Sequence, residues 1–508
     1  MPKSLRAALC ACLLSPPLAC IPATAKPGAP AANEPSAAIA HEAENAVVKV
    51  FATMRRPDVS RPWSKAPPIE ATGSGVVIEG KRILTNAHVV TYASQLQVQG
   101  HQAGDKMSAS VVAVAPGIDL AVLKLDDESF FDKRPPLPRA SELPQIKDAV
   151  LAYGYPMGGT SMSITRGIVS RIEFVPYVLT TGGLRIQIDA ALNPGNSGGP
   201  AISDNKMIGL AFSVLQNAEN IGYIIPNEEI ELFLKGLANG SYDGKPGMYD
   251  ELQTLENPAL RGFLKLDNSV KGMIVHRPDE DSRAYPLQQW DVITRIADTS
   301  IDDEGMVSIR DNLRVSFRYL IQKKARDGTV PLTVVRAGQT RQIQMPVPRH
   351  RPLLIDSLYG TYPSYFILGP VVFERASMEA LQLVRSHSQA VVGSPLLSRL
   401  GDRPDPEREE LVIIPAPLFP HALSKGYSDP TGSVVRSING TPVKSLAHLV
   451  ALLRDLKDEY VTVDFDNRAS EALVFPRAQL IASSESILTD NDVRAQGSPD
   501  MMRIWQQK

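Results

Sequence analysis

Cysteine is the first shortage. The 508-residue chain has three, Cys10, Cys12 and Cys20, all close to its N-terminus. Beyond residue 20 there is no thiol, which excludes a cysteine nucleophile, a disulfide framework and a Cys-based metal site from the rest of the chain. An excess of one charge is missing too. Against 55 Asp and Glu stand 53 Lys and Arg, a formal charge of −2, so no global field draws the chain to nucleic acid or to an acidic membrane. After the N-terminus no apolar run approaches the ~20 residues of a membrane-spanning helix. No His-x-x-x-His or His/Asp cluster points to a metal hydrolase, and no Gly-rich loop with a lysine points to nucleotide phosphates. What remains, 43% hydrophobic and 21% charged residues, is the balance of a soluble globular protein. At about 150 residues per domain the length predicts roughly three domains.

The N-terminus carries Lys3 and Arg6, runs apolar from Ala7 to Ala19 and reaches Ala23-Thr24-Ala25. A basic start, a hydrophobic stretch and a small-x-small site are the parts of a secretory signal, so residues 1–25 are read as a signal peptide. Cleavage there removes Lys3 and Arg6 and shifts the formal charge from −2 to −4. Leu18-Ala19-Cys20 offers the alternative of a lipid anchor on Cys20, with Pro17 where an apolar residue is expected. Residues 26–44 begin Ala/Pro-rich and are read as a flexible tether.

Residues 42–51 can open the next unit as a short helix or a strand. Short Val- and Ile-rich runs follow at 75–78, 82–85, 110–115, 120–125, 149–153, 167–171, 184–188, 207–212 and 221–225, separated by Gly, Pro, Asp or Asn. Their length and spacing predict an all-β domain over 45–238 that buries itself as barrels. A helix from Asn227 closes it, and 239–247 is a linker. A second unit, 248–347, has strands at 272–276, 291–296 and 330–336 and an amphipathic helix over 313–323, on which Leu313, Phe317, Leu320 and Ile321 share one face. A third, 363–475 with an insertion, repeats the pattern with strands at 410–414 and 433–438, an Asn439-Gly440 turn, a helix at 445–454 and a strand at 460–465. Residues 476–508 form a C-terminal extension.

The densest chemistry lies in Asn193-Pro194-Gly195-Asn196-Ser197-Gly198-Gly199-Pro200. Turn formers surround one hydroxyl, so the backbone can bend until the N–H groups of Gly195 and Ser197 point inward, as an acyl-transfer oxyanion requires. A plain glycine turn is the alternative. A serine needs a base, and His88, in Ile83-Leu84-Thr85-Asn86-Ala87-His88-Val89-Val90, has the most ordered apolar setting of the eight histidines. A base of this kind needs a carboxylate behind it. Asp119, just before the alternating run 120–125, is one candidate, and Asp189 is its rival.

With His88, Asp119 and Ser197 in that order, the chain resembles the Deg/HtrA family of serine proteases. The likeness lies in Thr85-Asn86-Ala87-His88-Val89-Val90, Asp119-Leu120-Ala121-Val122-Leu123, Thr165-Arg166-Gly167-Ile168-Val169-Ser170-Arg171, the Ser197 loop and Asn220-Ile221-Gly222-Tyr223-Ile224-Ile225-Pro226. It continues through Leu255-Glu256-Asn257-Pro258-Ala259-Leu260-Arg261 and Phe317-Arg318-Tyr319-Leu320-Ile321, which resemble the subgroup best known from plant organelles. The resemblance implies an all-β chymotrypsin-like double barrel followed by two small α+β PDZ or PDZ-like domains. It implies Ser197 as nucleophile, His88 as general base, Asp119 as orienting carboxylate, and the N–H groups of Gly195 and Ser197 as oxyanion hole, with no metal or cofactor. Ala191, six residues before the nucleophile, would floor the P1 pocket, with Ile188 and Phe212 beside it, favouring small or branched apolar P1 residues. Arg261, Gly262, Phe263 and Leu264 would form the loop of the first PDZ that receives a C-terminal peptide. Gly247-Met248-Tyr249-Asp250 departs from the family's apolar-Gly pair, and Val412-Ile413-Ile414-Pro415 replaces any obvious glycine loop in the second PDZ. Substrates would be unfolded proteins, with no nucleic acid partner, and the assembly a homotrimer or a multiple of trimers. The export signal places the protein in the periplasm. A PDZ-based binding or holdase scaffold with minor or gated proteolysis is the competing function.

Overall fold

The computed structural model describes residues 37–178, 181–214, 222–238, 240, 242–280, 282, 284–381, 394–467 and 470–507. The signal peptide, most of the tether, Cys20, and Asn220 and Ile221 lie outside the described residues.

Twelve strands close into two antiparallel six-stranded barrels. The first contains β1 (Val47–Met54), β2 (Ile69–Ile78), β3 (Arg82–Thr85), β4 (Ala93–Gly100), β5 (Met107–Ala115) and β6 (Leu120–Leu125), in the order β1-β2-β3-β6-β5-β4. The second contains β7 (Ala149–Gly154), β8 (Ser163–Val178), β9 (Thr181–Ile188), β10 (Pro200–Ser203), β11 (Lys206–Val214) and β12 (Gly222–Pro226), in the order β10-β11-β12-β9-β8-β7. Closure leaves no unpaired edge, which suits strands this rich in Val and Ile. Residues 42–51, open between helix and strand in the sequence, divide between the helix Ala37–Ala46 and β1. A helix, Asn227–Ala238, lies against the second barrel and buries Ile230 and Phe233.

The next unit is a sheet in which Glu251–Thr254, Met273–Arg277, Val292–Ile296, Thr329–Arg336 and Gln339–Pro346 lie side by side. Its expected helix over 313–323 is corrected. Leu313–Ser316 is a strand paired with Met306–Arg310, and the helix is only Arg318–Lys324. Val315 is β-branched and Leu313 and Val315 alternate inward, which serves a strand as well as a helical face. The last unit holds Tyr365–Leu368, Val371–Arg375 and Val412–Ile413 in one sheet and Val435–Ile438, Thr441–Pro442, Tyr460–Phe465 and Leu473–Pro476 in another. Asn439 and Gly440, both at positive φ, make the tight hairpin. The Ser445 hydroxyl caps the helix Leu446–Asp455 by accepting from His448 N at 3.3 Å. The helices Arg477–Asp490 and Pro499–Trp505 pack Leu480 and Met501 into this same core.

Each small unit is fastened to a different barrel. The second barrel and the 248–347 unit share one apolar cluster running from Val150, Ile186 and Ile224 to Phe317, Leu320 and Ile321. At this seam the fully buried Glu229 carboxylate accepts from Leu184 N (2.8 Å), Gln322 Nε2 (2.9 Å) and Lys245 Nζ (2.6 Å). The first barrel is fastened to the last unit by residues 55–68, between β1 and β2. Trp63 packs on Phe419 (5.4 Å) and Tyr365 (6.4 Å), Tyr362 Oη donates to Arg55 O (2.7 Å), and Val59 joins the cluster of Leu354 and Ile413. The two small units meet through Asp279, which takes Arg351 at 2.7 Å and Arg403 at 3.2 Å.

Candidate active site

Three segments meet between the barrels. β3 ends in a short helical turn, Ala87–Val90, that carries His88 at the surface while Ala87, Val89 and Val90 are buried beneath it. Asp119 follows a 3-10 turn, Pro116–Ile118, in the left-handed conformation (φ +56°) that lets an Asp step directly into β6. Both of its oxygens go to one residue. Oδ1 accepts from His88 N at 2.9 Å and Oδ2 lies 2.7 Å from His88 Nδ1, while Asn86 Nδ2 donates to Asp119 O at 2.9 Å. With Nδ1–H directed at Asp119, Nε2 is left as the acceptor, the tautomer a general base needs.

The rival carboxylate is occupied elsewhere. Asp189 Oδ1 accepts from Ile168 N at 2.5 Å and secures the start of the nucleophile loop to β8. Of the two carboxylates, Asp119 is the one that touches His88.

Ser197 stands in a loop folded against the first barrel. Ser74 N donates to Ser197 O at 2.8 Å, and Gly73 lies against both Val89 and the Ser197 carbonyl, which brings the loop beside the His88 turn. Gly195 (φ +101°) and Gly198 (φ +86°) take conformations that L-residues avoid, and a Cβ on either would collide with backbone, of Tyr155 and of Ser74 respectively. Within the turn the N–H groups of Asn196, Gly198 and Gly199 donate to Asn193, Ala211 and Asn196. Those of Gly195 and Ser197 have no acceptor among the described residues, as a pair reserved for an incoming oxyanion requires. Ser197 Oγ likewise makes no hydrogen bond among the described residues. Contacts of this kind commonly tighten only when substrate binds.

The expected pocket residues differ in their surroundings. Ile188 is fully buried in the second core, Ala191 is exposed with its carbonyl accepting from Thr165 Oγ1 (2.9 Å), and Phe212 is stacked on Tyr177 (5.5 Å) under the Arg185 guanidinium. Leu192, which no motif singles out, is buried and lies directly against Gly222. Its only signal was position, one residue after Ala191. Arg261 to Leu264 is not the expected loop. Arg261, Gly262 and Phe263 end the helix Pro258–Phe263 and Leu264 caps it, because Asn257 Oδ1 caps the start (2.9 Å to Ala259 N) and Pro258 occupies its first position. Arg261 spends its guanidinium on Val270 O (2.8 Å) and Asp303 (3.2 Å).

A cavity of about 430 Å³ opens beside His88, walled by Arg56, Pro57, Tyr92, Pro116 and Asp119 and, from the last unit, Glu379. Burial pushes the Tyr92 hydroxyl up to about 12, with the Glu379 carboxylate adding to the shift. Among the described residues no group of three His, Cys, Asp or Glu side chains is placed to hold a metal ion.

This arrangement has close counterparts. Residues 73–210 match the model of a trypsin-like peptidase domain, and 356–500 that of a PDZ domain. Protease Do-like 2, chloroplastic, from Arabidopsis thaliana is 35% identical over 473 residues, covering 92% of this chain and 77% of its own. Protease Do-like 4, mitochondrial, from the same plant is 37% identical over 444 residues, covering 86% and 82%. Among solved structures, the HtrA-type protease AlgWS227A with decapeptide superposes with a TM-score of 0.50 at 25% identity, covering 62% of this chain and 98% of that one.

Proposed function

Since the chain belongs to the Deg/HtrA family and is a serine endopeptidase of the trypsin-like type, we propose that Ser197, His88 and Asp119 carry its chemistry. Ser197 Oγ attacks the scissile carbonyl as its proton passes to His88 Nε2. The N–H groups of Gly195 and Ser197 receive the oxyanion, and Asp119 stabilises the imidazolium. His88 then protonates the leaving amine, and water, deprotonated by the same nitrogen, releases the acyl group from Ser197. The observation that carries this reading is the double engagement of Asp119 with His88, at 2.9 Å to its N–H and 2.7 Å to its ring.

ATP-independent quality control of unfolded or misfolded protein is the activity that kinship with these proteases supports. The finer proposal is cleavage after small or branched apolar residues. Leu192 against Gly222 gives an apolar wall, and Asp189 Oδ1 accepts from Ile168 N, which ties that nearby carboxylate to β8. A peptide C-terminus, added as a strand, is the ligand a PDZ fold suits, with Arg261 to Leu264, the end of a short helix and its cap, as the candidates for receiving it. Export to the periplasm through residues 1–25, with lipidation of Cys20 as the alternative, and trimeric assembly complete the proposal.

Casein digestion tests it. Ser197→Ala should abolish cleavage while still binding unfolded protein, and a serine-reactive phosphonate should label the wild-type chain once, at Ser197. A label on another serine would overturn the assignment, and undiminished holdase activity without any wild-type cleavage would favour the scaffold. Products ending chiefly in Lys or Arg would sink the pocket proposal alone.

A further inference from the structure

The oxyanion arrangement depends on glycine, the residue whose peptide planes turn most easily. Gly195 sits at φ +101°, and both carbonyls that flank its α-carbon are held. Pro194 O accepts from Met157 N at 2.7 Å. Gly195 O accepts from Ser74 Oγ at 2.8 Å, a bond that spans 121 positions of sequence and joins the first barrel to the second.

Ser74 is fully buried on β2, and its hydroxyl has no freedom of direction. Tyr155 N donates to Ser74 Oγ at 2.8 Å, so the single hydroxyl proton is left to point at Gly195. The rest of the residue is pinned as well. Ser74 N donates to Ser197 O at 2.8 Å, and Ser74 O accepts from Thr85 Oγ1 at 2.7 Å. Thr85 ends β3, three residues before His88. One buried side chain thus ties the strand that leads to the base to the loop that carries the nucleophile.

We infer that Ser74 is a positioning residue of the acyl-transfer site, one that locks the Gly195–Asn196 peptide, which lies between the two donors, so that the N–H groups of Gly195 and Ser197 both face the developing oxyanion. Ser74 touches neither substrate nor reacting atoms. Without its hydroxyl, Gly195 O and Tyr155 N are both left unpaired, and the Gly195–Asn196 peptide is free to rotate and turn the two donors out of register. The inference rests on reading Ser197 as the nucleophile.

The experiment compares the full chain with Ser74→Ala and Ser74→Cys on a fluorogenic peptide. In Ser74→Ala, kcat should fall on the order of 10- to 100-fold, less than the roughly 10²- to 10³-fold cost of deleting an oxyanion donor outright because the donors are displaced and not removed, with KM within about twofold of wild type. Affinity for a peptide boronate, which presents a tetrahedral oxygen to the hole, should fall by the same factor. The NMR titration of the His88 ring should be unchanged, which a general loosening of the site would not allow. Ser74→Cys fills the site with a slightly larger side chain that keeps a weak donor, and its kcat should lie between the other two, so that a poorly folded alanine variant still leaves a decisive measurement. Wild-type kcat in either variant, or a loss confined to KM, would overturn the inference. Persistent turnover in Ser197→Ala would instead overturn the reading beneath it.

Discussion

Two glutamates, each fully buried at a seam between a barrel and a PDZ-type module, have opposite surroundings. Glu229, where the second barrel meets the 248–347 unit, receives a backbone N–H, an amide and the Lys245 ammonium. Glu374 pairs across strands with Tyr365, on the face that Trp63 covers, and neither of its carboxylate oxygens has a partner among the described residues. Burial pushes the Glu374 carboxyl well up, and the neighbouring Asp58 and Glu379 push it further. Asp58 itself is bonded to Ser60 and Arg61, so the Arg61 guanidinium is already engaged. A buried carboxylate with three donors holds a joint as an ion, whereas one with none holds it best as the neutral acid.

The comparison can be broken most forcefully at Glu229. Glu229→Ala leaves Lys245 buried without its partner, and the loss of such a partner costs about 3–5 kcal/mol. Urea unfolding of the variant should show a loss of that size, and a loss below about 1 kcal/mol would mean the two seams do not differ as argued. At the other seam, Trp63→Ala removes a half-buried ring from Phe419 and Tyr365 and should cost less, about 1–3 kcal/mol. Faster proteolytic nicking within residues 55–68 is the expected reading, and an unchanged nicking rate would detach Trp63 from the seam.

Glu374→Gln gives the smallest effect and the most informative sign. Because the buried carboxyl is raised above its unfolded value, its contribution is fully present below the ordinary Glu range and is lost as pH rises through the raised value. Wild-type protein should therefore lose thermal stability between mild acid and pH 8, while Glu374→Gln should lose less. The variant should match wild type near pH 4 and melt higher at pH 8 by about 2–4 °C, the shift that ~1 kcal/mol produces in a domain of this size. Parallel pH profiles for the two proteins would remove the distinction between the seams.

The catalytic geometry was legible in the sequence because each of its parts has a local signature. A glycine-rich turn around one serine, a histidine at a strand end and an aspartate before an alternating strand keep their meaning in a short window. Asp119 and Asp189 could not be separated that way, since the decision lies in where Asp189 turns its oxygen, and Ile168 N is 21 positions away. Strand β4, Ala93–Gly100, went unread because only Leu96 and Val98 interrupt its polar residues, and their inward alternation is too short to stand out. β10 was hidden for the opposite reason, since four buried residues directly after the glycine turn show no alternation at all. The helix at Arg261 has its start signal in Asn257-Pro258, but its six residues are too few to show an apolar period. The seams left no trace in sequence, since Glu229 and Glu374 look alike until their neighbours are known.

The Asp279 bridge changes what kind of machine these parts make. Barrel one holds the module containing Trp63's partners, that module holds the 248–347 unit through Arg403 and Asp279, and that unit holds barrel two around Glu229. The barrels meet again where Ser74 reaches Gly195. Four bodies joined at four places form a closed linkage, in which no hinge can turn without turning another. His88 and Asp119 ride on one barrel and Ser197 on the other, so the gap between base and nucleophile is set by the whole circuit. Whatever strains a remote joint is felt there as a change of aim.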